Sequence, residues 1–180
     1  MKNKYLNIHQ NLIEKCIKKN PKAQFQIYKL YYSALFNTCF RIVNDKFNAE
    51  DIMQDTFLAA FEKINFYGNE VSFGAWLKKI AINKSLDFLR KQKIEFEKFE
   101  EEFYEYGDDY DFSETDKQKI AEKIKYALMQ LPDKYRIVFS LYHLEGYDHD
   151  EISSILNVTA STSRSQLARA KQKLLDILKT

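Results

Sequence analysis

The sequence predicts an all-α protein of two small helical domains joined by an acidic linker. Three observations carry that expectation. Gly 4 and Pro 2 are very low counts for 180 residues, and no stretch alternates apolar and polar residues as a half-buried strand would. Hydrophobic residues make up 45% of the chain, ample for packed cores, and they recur at three- and four-residue spacings. Charge is unevenly spread: the net is only +2, yet Lys93 to Asp116 holds eleven acidic and two basic residues, a local −9 that leaves +11 for the remainder. A stretch of that charge repels itself and resists compact folding. Residues 93–116 therefore read as a linker between a domain at 8–92 and another at 117–180. A basic body with an acidic strap suits a nucleic-acid partner.

Residues 8–19 form a short amphipathic helix through Ile8, Leu12, Ile13, Cys16 and Ile17. Pro21 opens the next, a natural first-turn proline, and the helix runs to about Val43. Its stripe of Phe25, Tyr28, Tyr32, Leu35, Phe36, Cys39 and Phe40 reads as core. Asn48 is expected to cap a third helix with Glu50 and Asp51 in its first turn, where the helix dipole favours anions. Ile52, Met53, Phe57, Ala60, Phe61 and Ile64 give that helix a core face. Asp51, Gln54 and Asp55 fall together on another face with Leu58 beside them. On the residues alone, solvated surface is the favoured reading of that polar face.

The loop from Asn65 to Ser72 breaks the helix at Gly68 but carries Phe66 and Tyr67. Two exposed aromatics would make a stacking wall for an unstacked base; the other reading folds both rings back onto the core. Ser72 caps a fourth helix from Phe73 to about Gln92, burying Trp76, Leu77, Ile80, Ala81 and Leu86 or Leu89. Its wet side is basic: Lys78, Lys79, Asn83, Lys84, Asp87, Arg90 and Lys91. Helical pattern resumes near Lys117 with Ile120, Ile124, Leu128 and Leu131, is punctuated at Pro132, and continues from Tyr135 to His143.

The stretch from Tyr147 to Leu178 carries the strongest functional signal. Asp148 with Glu151 is a capping-box start, and Ile152, Ile155 and Leu156 give a short helix one apolar face. Asn157 suits a sharp left-handed turn, and Thr159 caps a second helix with Leu167, Ala170, Leu174 and Leu178 inward. Thr162, Arg164, Ser165, Gln166 and Arg169 point outward, all donors to phosphates or base edges. Two helices around a three-residue turn, the second cationic, describe a helix-turn-helix. Helical hairpins with basic faces also occur away from DNA. Here no acidic residue falls between Glu151 and Asp176, which a merely solvated face would more often show.

Three runs in order resemble one family: N-A-E-D-I-M-Q-D-T-F-L-A-A-F, then F-G-A-W-L-K-K-I-A-I-N-K-S-L-D-F-L-R-K, then L-P-D-K-Y-R-I-V-F-S-L-Y-H-L-E-G-Y-D-H-D-E-I-S-S-I-L. They resemble the sigma-70 superfamily of bacterial RNA polymerase sigma factors, and more narrowly its extracytoplasmic-function group, which keeps only the second and fourth sigma regions. The resemblance covers about residues 20–92 and 117–178. It implies a transcription initiation factor, not an enzyme, that binds core RNA polymerase through its β′ clamp and β flap and directs it to promoter DNA. It implies that Asp51, Gln54, Asp55 and Leu58 dock on the clamp coiled coil. It implies minus-ten DNA contacts from Phe66, Tyr67, Asn69, Ser72, Lys79, Asn83, Lys84 and Arg90, with a flipped base held by the loop. Minus-thirty-five contacts are implied for Ser161, Thr162, Arg164, Ser165, Gln166, Arg169 and Lys171. It further implies an anti-sigma factor as partner, often a membrane-bound one.

Departures from the family pattern bear on sequence preference: Asn157 and Ser161 stand where the family often has Gly, and Gln166 where it often has a basic residue. Lys79 and Ile80 replace the tryptophan pair with which housekeeping sigma factors melt DNA, so opening is expected to depend on well-matched sites. The acidic linker is expected either to mimic a polyanion inside the polymerase or to serve as an inert soluble tether whose charge only prevents collapse. No cofactor, metal or small-molecule substrate is expected: the histidines (His9, His143, His149) are scattered, and no phosphate loop or nucleophile constellation occurs. Cys16 and Cys39 read as buried thiols of a cytoplasmic protein, and no apolar run approaches the roughly 18 residues of a membrane span. A repressor or activator with the same helix-turn-helix would differ in binding its operator without polymerase.

Overall fold

The computed structural model describes residues 7–96 and 116–179, which contain eight α-helices and no strand. The expected linker lies mostly outside the described residues. The chain divides into two compact units, Met1–Lys91 and Gln92–Thr180.

In the first unit, α1 spans Gln10–Ile17 and α2 spans Pro21–Val43, with Asn20 accepting the Ala23 N–H as its cap. Asn44 ends α2 in the left-handed region (φ 54°) and Asp45, extended, begins α3 at once. The Asp45 carboxylate accepts the Asn48 N–H at 2.7 Å. Asn48 is thus not the cap but a first-turn residue of α3, Lys46–Lys63, and Glu50 and Asp51 lie beyond that turn. The reason is local: an αL Asn followed by an extended Asp makes the connection in two residues, so the helix starts earlier than the apolar pattern suggests.

A single 3-10 turn, Ile64–Phe66, leads through the loop to α4, Phe73–Phe96, four residues beyond the expected end. Ser72 caps α4, its hydroxyl accepting the Ala75 N–H at 3.2 Å. The core holds Ile13, Ile27, Leu35, Cys39, Met53 and Phe57, with Phe73, Leu77, Ala81, Ile82 and Leu86 of α4. Ile82 and Ser85 are buried where Trp76 and Ile80 were expected; those two are only half-buried flanks of the stripe. The aromatic stripe of α2 is likewise less inward than its spacing suggests. Phe25 is 57% exposed beneath the ammonium of Lys29, and Tyr32 is 44% exposed. In α1, Ile13 and Cys16 are buried while Ile17 faces outward; Ile8, expected in this helix, precedes it and is exposed.

In the second unit, α5 (Asp116–Met129), α6 (Asp133–His143), α7 (His149–Leu156) and α8 (Ala160–Lys179) pack around α8. Ala127, Leu128, Leu131, Tyr135, Ala170 and Leu174 form one cluster, flanked by Phe139 and Ile177. Ile120 and Ile124, expected inward, are exposed, because α5 meets the cluster only over its last turn. Leu178 is exposed too; after Leu174 the stripe continues to Ile177. Arg136 is 1% exposed, and its guanidinium donates to the Leu131 carbonyl at 2.8 Å and to Asp133 at 2.6 Å. Burial presses its pKa below the ordinary value and Asp133 opposes the shift, so a paired charge staples the Pro132 corner to α6.

Candidate docking and nucleic-acid interfaces

The first surface is α3. Asp51, Gln54 and Asp55 are solvent-exposed, and Leu58 is 64% exposed although a large apolar side chain. Between them Ile52, Met53, Thr56 and Phe57 are buried, so the helix pins the exposed set on one face. That set rims a shallow depression with Ile52 beneath and Phe88 of α4 at its side. Lys84 of α4 lies 3.6 Å from the Asp55 carboxylate, which places the polar face of α3 directly beside the basic face of α4. Phe47 at the start of α3 is 81% exposed; sequence reasoning missed it, since nothing in its spacing separates it from core.

The second surface is the 65–72 loop with α4. Here the two aromatics part company. Phe66 is 85% exposed, but Tyr67 is 8% exposed, its ring 5.2 Å from those of Phe73 and Trp76. Tyr67, expected as an exposed DNA contact, is instead a core residue whose hydroxyl donates to the Val71 carbonyl at 2.6 Å. Tyr67 leaves the 3-10 turn in an extended conformation (φ −71°, ψ 104°), and of the two rings only its own reaches the aromatic cluster. Asn69 takes a left-handed conformation (φ 57°). Along α4, Lys79, Asn83 and Arg90 are exposed and Lys84 half-buried; Arg90 pairs with Asp87 at 2.9 Å.

The third surface is the helix-turn-helix. Asp148 accepts the N–H groups of Asp150 and Glu151, and Glu151 returns a bond to the Asp148 N–H, completing the capping box. Asn157 turns the chain at φ 55°, and Thr159 caps α8 through the Thr162 N–H at 3.0 Å. Ser161, Arg164, Ser165, Arg169 and Lys171 are exposed, Thr162 and Gln166 half-buried. The hydroxyls of Thr162 and Ser165 are engaged locally, with Thr159 and with the Thr162 carbonyl. Ser163, absent from the expected sets, is fully buried and lies 2.9 Å from His149 Nδ1, tying α8 to α7.

Arg169 lies against the Tyr135 phenol, with Lys134 and Lys173 over the same ring. The Arg169 hydrogen bond is the main cause that holds this phenol below its usual pKa, and the neighbouring cations reinforce it. Burial, with a smaller contribution from Lys171, lowers the His143 imidazole. Lys134, Tyr135 and Lys173 were not singled out from the sequence, because only packing of α6 on α8 collects them. Cys16 and Cys39 are buried thiols outside any disulfide, and no metal-holding cluster occurs among the described residues.

One helical unit thus presents an exposed polar face beside a basic helix, and the other presents a helix-turn-helix. Comparison with known proteins gives the family. The Sigma-70 region 2 model matches residues 27–94 and the Sigma-70, region 4 model matches residues 121–174. The ECF RNA polymerase sigma factor SigM of Bacillus subtilis (strain 168) is 30% identical over 149 residues, covering 83% of this chain and 91% of that protein. The ECF sigma factor SigW of the same organism is 28% identical over 171 residues, covering 89% and 91%. Among solved structures, the sigma factor RpoE in complex with the anti-sigma factor NepR from Bartonella quintana matches at a TM-score of 0.61 and 25% identity. That match covers 86% of this chain and 96% of that chain. The chain belongs to the sigma-70 family of RNA polymerase sigma factors, in its extracytoplasmic-function group. It is a transcription initiation factor that directs RNA polymerase to promoters, and it is not an enzyme.

Proposed function

We propose that Asp51, Gln54, Asp55 and Leu58 dock the chain on the β′ clamp of core polymerase, while the second unit engages the β flap. The observation that carries this reading is the face of α3, where three polar side chains and a 64% exposed leucine surround a depression and every intervening residue is buried. An exposed apolar residue ringed by hydrogen-bonding groups is the anatomy of an interface centre. The adjoining basic face of α4, with Lys79, Asn83, Lys84 and Arg90, then lies against the minus-ten element. The loop, through Phe66, Asn69 and Ser72, takes an unstacked base and helps melt the DNA. Ser161, Thr162, Arg164, Ser165, Gln166, Arg169 and Lys171 of α8 meet the minus-thirty-five element.

The functional division is 8–92 for polymerase and minus-ten binding and 117–180 for minus-thirty-five binding, with 93–116 as a polyanionic strap. The site of action is the cytoplasm; among the described residues no helix is long and apolar enough to cross a membrane. RpoE, one of the solved relatives, is in complex with an anti-sigma factor, and this chain is read as taking a partner of that kind. The test is a pulldown on core polymerase followed by run-off transcription from genomic fragments. Specific transcripts that require both polymerase and this chain are expected. Promoter binding by the chain at equal affinity without polymerase would point to a repressor or activator.

A further inference from the structure

Asn7 precedes α1, sixty residues upstream of the loop, yet its side chain is 8% exposed and is bonded into that loop. Its Oδ1 accepts the backbone N–H of Phe73 at 2.8 Å. That N–H opens α4, where no intrahelical carbonyl can reach it, so Asn7 caps the helix from a distant part of the chain. Its Nδ2 donates to the Tyr67 hydroxyl at 2.9 Å and also points to the side-chain oxygens of Gln10 at 3.3 Å and Asn69 at 3.4 Å. The Tyr67 hydroxyl in turn donates to the Val71 carbonyl, closing residues 67–71 into a ring. One amide thus joins the start of the loop, its left-handed corner and the first turn of α4. Gly74 lets the Tyr31 ring lie against that turn: a Cβ there would stand 3.1 Å from the ring. Phe66 stays outside the network and exposed.

A loop that orders only when a ligand docks loses binding energy to that ordering, whereas one already held in shape does not. We propose that Asn7 is a positioning residue for minus-ten recognition, holding the 65–72 loop pre-formed for an unstacked base without touching DNA itself. Tyr67 acts as the second post of the latch through its hydroxyl, not as a stacking wall. This inference rests on the reading of the loop as the minus-ten reader. A purely structural Asn7 would lower the stability of the first unit and leave sequence preference alone.

The test uses full-length protein with core polymerase, comparing Asn7→Ala, Tyr67→Phe and the double variant. Tyr67→Phe keeps the packed ring and removes only the hydroxyl, so the comparison survives if Asn7→Ala folds poorly. Binding to a single-stranded minus-ten oligonucleotide should weaken roughly three- to tenfold in each single variant, the range a lost hydrogen bond gives. The double variant should be no worse than the weaker single, since both break one latch. Amides of residues 70–73 should exchange faster in the free variants. Selection from a library randomised at minus-ten should broaden, and minus-thirty-five preference should not move.

Wild-type affinity and wild-type minus-ten preference in both folded single variants would overturn the proposal, as would an equal loss on scrambled oligonucleotides. A parallel exchange of residues 65–72 for the loop of SigM separates the two levels. If that swap leaves minus-ten preference unmoved, the reading of the loop falls and the proposal with it. If the swap shifts preference while Asn7→Ala and Tyr67→Phe do not, only the latch falls.

Discussion

Replacing Gln54 and Asp55 together with alanine tests the docking face most directly. Both side chains are exposed, so their removal opens no cavity and the core beneath, Met53 and Phe57, is untouched. Inside the protein the change breaks the Asp55–Lys84 ion pair, 3.6 Å long with side chains 66% and 34% exposed. Pairs that open to water contribute about 0.2–1 kcal/mol, so the first unit should lose no more than that. At the clamp interface the loss is larger. Truncating central hydrogen-bonding residues that become desolvated on binding costs roughly 2–4 kcal/mol, which is about 30- to 1,000-fold in Kd. Lys84→Ala is the matched control, since it removes the same ion pair and leaves the carboxylate; its polymerase affinity should stay near wild type. Leu58→Ala should weaken docking without lowering stability, because its side chain is already 64% exposed. The assay is equilibrium binding of labelled full-length protein to core polymerase without DNA, with helicity followed by circular dichroism. A double variant of unchanged helicity that binds core polymerase like wild type would refute the assignment of this face.

The remaining predictions concern DNA and pH. Tyr67→Ala should destabilise the first unit by about 3–5 kcal/mol, as deletion of a buried ring does. Phe66→Ala should leave stability within about 0.5 kcal/mol and weaken minus-ten binding, read by denaturation against oligonucleotide affinity. In α8, Arg164→Ala and Gln166→Ala should each relax preference at particular minus-thirty-five positions by about 1–3 kcal/mol. Lys171→Ala should weaken all sequences alike and flatten the salt slope by about one unit; identical library preferences for the Arg164 and Gln166 variants would misplace the reading surface. Tyr135 should ionise below the ordinary tyrosine range and Tyr31 and Tyr147 above it, followed by ring carbon shifts, with Arg169→Ala raising Tyr135. The signs differ. A depressed Tyr135 adds stability as pH rises from its folded pKa toward the ordinary value near about 10. The raised Tyr31 and Tyr147 favour the fold below that value and lose this contribution as pH climbs through their folded pKa values.

The helices, the helix-turn-helix and the face of α3 were legible in the sequence because each rests on local rules. Asp148 with Glu151, Asn157 and Thr159 act within one turn of themselves, and the capping box, left-handed residue and cap all occur where the spacing places them. Asp51, Gln54, Asp55 and Leu58 share a face because 3.6 residues per turn require it. The third helix start shows where local rules compete: Asn48 and Asp45 are both plausible caps, and Asp45 takes the role because Asn44 before it ends α2 in the left-handed region.

Tertiary packing decided what periodicity cannot distinguish. Phe66 and Tyr67 are neighbouring aromatics of one loop, and their separation into an exposed ring and a buried one depends on Phe73, Trp76 and Asn7, all outside that loop's own pattern. Arg169 looked like its neighbours on α8 until α6 brought Tyr135 beneath it, and Ser163 looked like one more polar residue until His149 was placed within hydrogen-bond reach. The sequence by itself determined which elements form and, in α3 and at the front of α8, which face turns outward, since helix geometry and capping act over a few residues; the inward faces of α2, α4 and α5 were settled by packing. Only the tertiary structure decided which polar groups pair across sixty residues, because a buried donor takes whichever acceptor the packing of distant helices leaves beside it.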